Sequence, residues 1–313
     1  MIIFGEKMSD YKVSVLISSY NYAHIIGETF ESIKNQTFNF DDIEVIFVDD
    51  KSSDNSVEVI QKFVDEYDNV KLFITPEGKD GLSFSRNWSM ELASADYITF
   101  VDSDDKLGPE FIESTYNEMM ENDVDIVKTA FVAGFDKQIS YSQNLGRIVV
   151  PSENITPLMT YNYLEAWSTM YNKKFLLDND IKFSYKYKIH ENFLFSVQAL
   201  SKTSKDIILL DNVEGYIWNL KKDGAHDKHA QLEDMENVIE CSSKMISTLI
   251  ENNQPSEAIE SLFPFVLSIC GSGIYNSDTT IEQKAYYFLK NIFHAENILK
   301  IIEDKQGDKN VEL

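Results

Sequence analysis

Residues 97–105 read YITFVDSDD. The stretch runs apolar from Tyr97 to Val101 without polar alternation, then ends in Asp102, Asp104 and Asp105 with only Ser103 between them. An apolar run of this length with no alternation is expected of a strand covered on both faces, as in a parallel sheet layered between helices. Like charges this close repel and raise one another's pKa unless a cation sits among them. The strand is therefore predicted to end where something positive is held.

Working outward, the same unit recurs. VSVLISS (13–19) is β-rich; NYAH follows as a turn, and IIGETFESIKNQ places Ile25, Ile26, Phe30 and Ile33 at helical spacing. IEVIFVDD (43–50) precedes a helix from Asn55 to about Tyr67, and VKLFIT (70–75) one from Leu82 to about Ala93. After YITFVD a helix is expected from Pro109, with Gly108 as N-cap and Glu110 in its first turn. The upstream carboxylates are then not needed as caps. Four βα units in a row predict an α/β fold with a mostly parallel central sheet and helices on both faces. In such sheets ligands bind outside the carboxyl ends of the strands.

Further on, VDIVKTAF (124–131) reads as a fifth strand and is followed by an irregular region to about 158. The stretch 160–180 starts helical, another helix begins near Glu191, and DIILLD and GYIWNL are two short strands. From about Ala230 the pattern is helical throughout. The expected organisation is an N-terminal extension over 1–10, an α/β domain over 11–222 and a C-terminal helical region over 223–313.

Composition narrows the class of function. At 313 residues and 43% hydrophobic content the chain can bury a sizeable core. Its net charge of −24, from 52 acidic against 28 basic residues, argues against nucleic acid as a partner. Two cysteines, Cys241 and Cys270, form no metal-ligand spacing and suit a reducing compartment. The opening MIIFGEKM lacks the basic start and long apolar core of a signal peptide, and no run approaches the ~18 apolar residues of a membrane span. A cytoplasmic location is expected. No GxGxxG follows the first strand, against a nicotinamide dehydrogenase. SSYNYAHII lacks the basic, glycine-rich loop of a nucleotidyltransferase.

Two strand ends and the helix before the last of them carry candidate chemistry. Asp102 and Asp104 offer hard oxygen ligands for Mg²⁺ or Mn²⁺ with room for phosphate oxygens, although a bare DxD is also common in solvated turns. In VDDKSSDNS (48–56), Asp50 is placed to accept from a nucleobase or a ribose, while Ser53 and Asp54 read as caps of the next helix. Arg86, beside Asn87, lies near this negative patch and can either neutralise it or reach a phosphate.

Taken together, VSVLISSYNYAHIIGETFESIKNQTF, VIFVDDKSSDNS and GLSFSRNWSMELASADYITFVDSDD closely resemble glycosyltransferase family 2, the inverting nucleotide-sugar enzymes of GT-A fold. The resemblance covers roughly 12–220. It implies that Ser18 and Tyr20 line a nucleoside pocket, that Asp50 reads the uracil, and that Arg86 sits near the nucleotide. It further implies that Asp102 and Asp104 hold Mn²⁺ or Mg²⁺, with Ser103 between them in the donor-binding set. The implied donor is a UDP-sugar, and the implied acceptor is a cell-surface polymer, its lipid-linked precursor or a glycoprotein. Inversion needs a base for the acceptor hydroxyl. The bacterial polymer-modifying branch usually carries HEDxxF, whereas this chain has HENFLF (190–195), with Asn192 in place of the acid. Glu191 is then the candidate base. A base from elsewhere, donor binding without fast transfer, and a helix-supporting role for Glu191 stay open. In KKDGAHDKH (221–229), His226 is a candidate third metal ligand or a solvated loop residue, with His229 no better placed; Lys221 and Lys222 are candidate phosphate contacts. Trp167 can stack on a sugar or pack in the core. The C-terminal helices are read as an oligomer interface or an acceptor platform, and their acidity allows at most peripheral contact with a membrane.

Overall fold

The computed structural model describes residues 10–134, 139–143, 145–160, 163–187, 190–219 and 232–262. The predicted βα repeats are present: β1 (Val13–Ser19), α1 (Ile26–Lys34), β2 (Ile43–Asp49), α2 (Ser56–Glu66), β3 (Val70–Ile74), α3 (Leu82–Leu92) and β4 (Tyr97–Asp102). After them come β5 (Lys106–Leu107), α4 (Phe111–Glu121), β6 (Ile126–Ala133), β7 (Ile139–Ser140), β8 (Arg147–Val150), α5 (Thr156–Thr160) and β9 (Thr169–Asn172). The chain continues through α6 (Lys173–Asp178), α7 (Glu191–Lys202), β10 (Ile207–Trp218) and α8 (Leu232–Glu251).

The strands form one sheet in the order β3-β2-β1-β4-β9-β6-β10-β5, with β7 on β6 and β8 on β10. β1 to β4 are mutually parallel, and so are β6 and β10; β9 is antiparallel to both β4 and β6. Strand order reverses at β1, which has β2 on one side and β4 on the other. This is the topological switch point outside which α/β sheets bind ligands. Val13, Val15 and Ile17 bury one face of β1 with Ile26, Phe30 and Ile33 of α1 and Ile60 of α2, and Phe30 stacks on Phe63 at 4.2 Å.

Three local expectations are corrected. The stretch 160–180 does not begin as a helix: Thr169–Asn172 is a strand, and Asn172 then caps α6 by accepting from the Phe175 N–H. Strand-prone Thr and Tyr on a fully buried sheet position override the helical pattern. DIILLD and GYIWNL are one strand rather than two, with register shifts against β6 between Leu210 and Tyr216 that mark a bulge. Gly108 does not cap α4, whose preceding residue is Glu110. Its missing side chain serves a close approach instead, since a Cβ there would come within 2.2 Å of the Glu214 carbonyl oxygen.

The chain divides into two compact units. The first comprises Met1–Val149, Ala166–Lys182 and Lys205–Leu220 and contains the switch point; the second comprises Val150–Glu165, Phe183–Ser204 and Lys221–Leu313. In the second, α7 packs on α8. Among the described residues, no helix is long and apolar enough to cross a membrane.

Candidate active site

The loops leaving β1 and β2 are laced together. The backbone N–H groups of Asn21, Tyr22 and Ala23 donate to Ser52 Oγ, Ser56 Oγ and Asp54 Oδ2 at 2.8, 2.9 and 3.1 Å. In return Asn21 Oδ1 accepts from the N–H groups of Ser53 and Asp54 at 2.8 and 3.2 Å. Asn21 has φ of 61°, a left-handed conformation that asparagine tolerates better than most residues. Asp49 is fully buried and holds Ser52 through both its oxygens. Asp54 accepts from the Ser56 N–H at 2.9 Å at the start of α2, as a cap would. SSDNS thus ties the loops after β1 and β2 together.

On the neighbouring face, register aligns Ser18 with Val48 on β2 and with Asp102 on β4. Partners in a parallel pair share a face, so Ser18 and Asp102 lie on one side of the sheet. α3 covers that side: Arg86, only 5% exposed, donates to Asp102 Oδ1 at 2.6 Å. Of the two roles open to it, Arg86 takes that of neutralising the patch in this structure. Asp50, just past β2, accepts from Thr75 Oγ1 and from the Gly81 N–H, each at 2.8 Å. Gly81 precedes α3 with φ of 95°, a conformation that a side chain would disfavour. Tyr20 projects from the same strand ends and is 55% exposed.

The carboxylates sit in a turn closed by the Asp105 N–H donating to the Asp102 carbonyl at 3.0 Å. Asp102 and Asp104 are half-buried, Ser103 and Asp105 buried. The Ser103 carbonyl accepts from Thr29 Oγ1. The Tyr22 hydroxyl is bonded to Asp104; burial, then the charge of Asp104, pushes the phenol well above its ordinary pKa. Asp105, 3% exposed, accepts from Tyr216 Oη at 2.7 Å and from the Asn219 N–H at 2.8 Å. Burial, then the charges of Asp102 and Asp104, hold its carboxyl well above the usual carboxylate range despite these donors. Three acids are thus crowded into one turn, with Arg86 paired to the first of them.

Ser18, Tyr20, Asp50, Arg86, Asp102, Ser103 and Asp104 all belong to the first unit and lie at or next to the carboxyl ends of β1, β2 and β4. Glu191 belongs to the second. It opens α7, is 7% exposed, and stands in the first turn, where a carboxylate complements the helix dipole. Burial first, then Glu191, pushes the Cys241 thiol up to about 12. Asn192 turns its Oδ1 to the Phe193 N–H at 2.9 Å. Trp167 is buried, stacks on Tyr216 at 4.4 Å and meets Phe131 edge-on at 4.9 Å, so its packing role is the one observed. Lys221, Lys222, His226 and His229 lie outside the described residues. Asn21, Tyr22 and Tyr216 carry no local sequence signal for their place here, whereas Asp105, a further acid continuing the strand end, does.

Among the described residues, no three His, Cys, Asp or Glu side chains converge as a full metal-ligand set. Two carboxylates still suit Mg²⁺ or Mn²⁺, ions that commonly take one or two protein oxygens and complete their shell with phosphate and water. The pair of carboxylates two positions apart at the strand end fits such an ion.

A family model described as "Glycosyl transferase family 2" matches residues 14–204. The poly(ribitol-phosphate) beta-glucosyltransferase of Bacillus spizizenii is 31% identical over 219 residues, which is 69% of this chain and 33% of that protein. The chain thus spans about a third of this relative's length. Among solved structures, Staphylococcus aureus TarS 1–349 in complex with UDP superposes with a TM-score of 0.70 at 20% identity, covering 88% of this chain and 78% of that one. A mannosyltransferase from Pyrobaculum calidifontis, in complex with GDP-Man and Mn²⁺, superposes with a TM-score of 0.58 at 12% identity, covering 92% and 85%. At these identities the structural likeness speaks for the GT-A fold alone.

Proposed function

The chain belongs to glycosyltransferase family 2, and we propose that it moves a hexose or N-acetylhexosamine from a UDP-sugar to a hydroxyl of a cell-surface polymer of the teichoic-acid type. The observation that carries the reading is the gathering of Ser18, Asp50, Arg86 and Asp102 on the α3 side of the switch point, with Asp104 beside them. Asp50 and Tyr20 border the nucleoside pocket, Asp50 supplying acceptors for a base N–H and Tyr20 an exposed ring. Asp102 and Asp104 hold Mn²⁺ or Mg²⁺. Such an ion, when bound, neutralises charge on the departing diphosphate. Arg86 orients Asp102 through its charge-assisted hydrogen bond. Glu191 takes the proton of the acceptor hydroxyl as it attacks the anomeric carbon. The relative from B. spizizenii supports the acceptor class.

The decisive experiment titrates UDP with and without Mn²⁺ and then follows UDP release with a panel of polymer acceptors. Thermal shifts with UDP-, GDP- and TDP-sugars identify the donor, because ligands of the native state raise its stability by mass action. Glu191→Gln is expected to lower transfer by about 100-fold while donor affinity stays within twofold; transfer at the wild-type rate removes Glu191 as the base. A second reading, a donor-binding protein with little turnover, is favoured by Asn192, whose amide is engaged with its own helix where the family usually has an acid. Metal-dependent UDP binding without release in any acceptor mixture would select it.

A further inference from the structure

Asp105 is the least exposed acid of the DSDD turn and the one for which the transfer reaction has no stated use. Both of its oxygens are engaged with the end of β10, one with Tyr216 Oη and the other with the Asn219 N–H. Tyr216 Oη works in two directions: while donating to Asp105 it accepts from the Asp102 N–H at 3.1 Å. A single phenol therefore bridges the first and last residues of the turn. The ring is held in turn, being fully buried and stacked on Trp167 at 4.4 Å. The chain leaving the turn goes directly into β5, which pairs antiparallel with β10 through Leu107 opposite Tyr216 and Lys106 opposite Ile217.

We infer that Asp105, acting through Tyr216, is a positioning residue that fixes the Asp102 and Asp104 carboxylates for the donor's metal. This rests on the reading of Asp102 and Asp104 as metal ligands. The chemistry requires a carboxylate at 105. An amide there can accept from Tyr216 only by turning its NH₂ toward the Asn219 N–H, donor against donor. A phenylalanine at 216 would keep the stacked ring but leave the Asp102 N–H and one Asp105 oxygen without partners. Because Asp105 stands behind the ligands, its loss moves metal-dependent affinity rather than nucleoside recognition, which depends on Asp50 and Tyr20. Outer residues that orient metal ligands typically change metal affinity by about 10- to 100-fold.

The test uses the full chain, UDP as the probe and Mn²⁺ as the metal, read by calorimetry and thermal unfolding. Tyr216→Phe and Asp105→Asn are each expected to raise the Mn²⁺ concentration for half-maximal UDP binding by about 10-fold or more, with metal-free UDP affinity unchanged. If the pair acts as one device, the double variant is no worse than the weaker single variant. Tyr216→Phe, which preserves the ring packing, carries the test should Asp105→Asn fail to fold. A Mn²⁺ requirement within twofold of wild type, an equal loss of metal-free UDP binding, or multiplying effects in the double variant would overturn the inference. Wild-type protein whose UDP affinity ignores Mn²⁺ would instead overturn the metal-ligand reading, and this inference with it.

Discussion

The sheet carries buried acid at both ends of its strands, and the two ends treat it in opposite ways. At the amino ends of the strands, Glu44 is fully buried and accepts from Lys71 Nζ, Ser14 Oγ and the Ser94 N–H at 2.5, 2.5 and 2.8 Å. Burial pushes its pKa up, but Lys71, Ser14 and Ser94 outweigh burial, and the carboxyl ends below its ordinary value. At the carboxyl ends, Asp105 also has two good donors yet is driven the other way by burial and by Asp102 and Asp104. Hydrogen bonds are present in both places; the contrast lies in neighbouring charge. A matched acid only holds the fold, whereas acids crowded at the switch point raise one another's pKa, a repulsion that the proposed cation would relieve.

Removing charge at the crowded end should therefore affect binding most and folding least. Asp104→Asn is expected to lower metal-dependent UDP affinity by more than about 100-fold, with the melting temperature unchanged or slightly raised by the relief of repulsion. Calorimetry with and without Mn²⁺ checks it. Wild-type affinity in this variant would erase the distinction between the two ends.

This contrast was only partly legible in the sequence. The apolar runs IEVIFVDD and YITFVD disclosed buried parallel strands because strands covered on both faces carry no alternation, and their acidic ends pointed to Asp50, Asp102 and Asp104. Long-range pairing was not legible. Nothing near Arg86 says that it turns to Asp102 rather than to solvent, and nothing near Asp105 announces Tyr216, 111 residues away. β9 was hidden because tertiary burial, not local pattern, makes Thr169–Asn172 extended. Gly108 read as a cap because its true neighbour, the Glu214 carbonyl, comes from a strand much later in the chain.

A smaller effect is expected where the site is framed rather than charged. Asn21→Gly keeps the left-handed backbone but removes the oxygen that accepts from Ser53 and Asp54. The loop carrying Tyr20 and Tyr22 then loses part of its lacing to the next loop. Losing the hydrogen bonds this one oxygen accepts predicts about 1–2 kcal/mol of stability and a loss of UDP affinity of roughly threefold, as the free loop samples more conformations. Isothermal denaturation together with UDP titration separates the two. A 100-fold loss of affinity would place Asn21 in the ligand site itself and blur the division between framing and binding residues.

Glu44→Gln should leave UDP affinity and its Mn²⁺ dependence unchanged, and it tests the matched end alone. Glutamine can keep one acceptor for the Ser94 N–H, but its NH₂ then faces the Lys71 ammonium, so a cost of about 2 kcal/mol at neutral pH is expected. The pH dependence fixes the cause. Because the folded pKa of Glu44 is lowered, the unfolded chain takes up the proton first as pH falls below about 4.3. Stability from this group is thus complete above that value and drains away as pH drops through the folded pKa. The variant lacks this component, so its deficit relative to wild type should shrink steadily on acidification and be smallest at the acid limit. A deficit that is constant with pH would mean that Glu44 contributes through shape and neutral hydrogen bonds. The opposition between matched and crowded carboxyls at the two ends of the sheet would then lose its electrostatic basis.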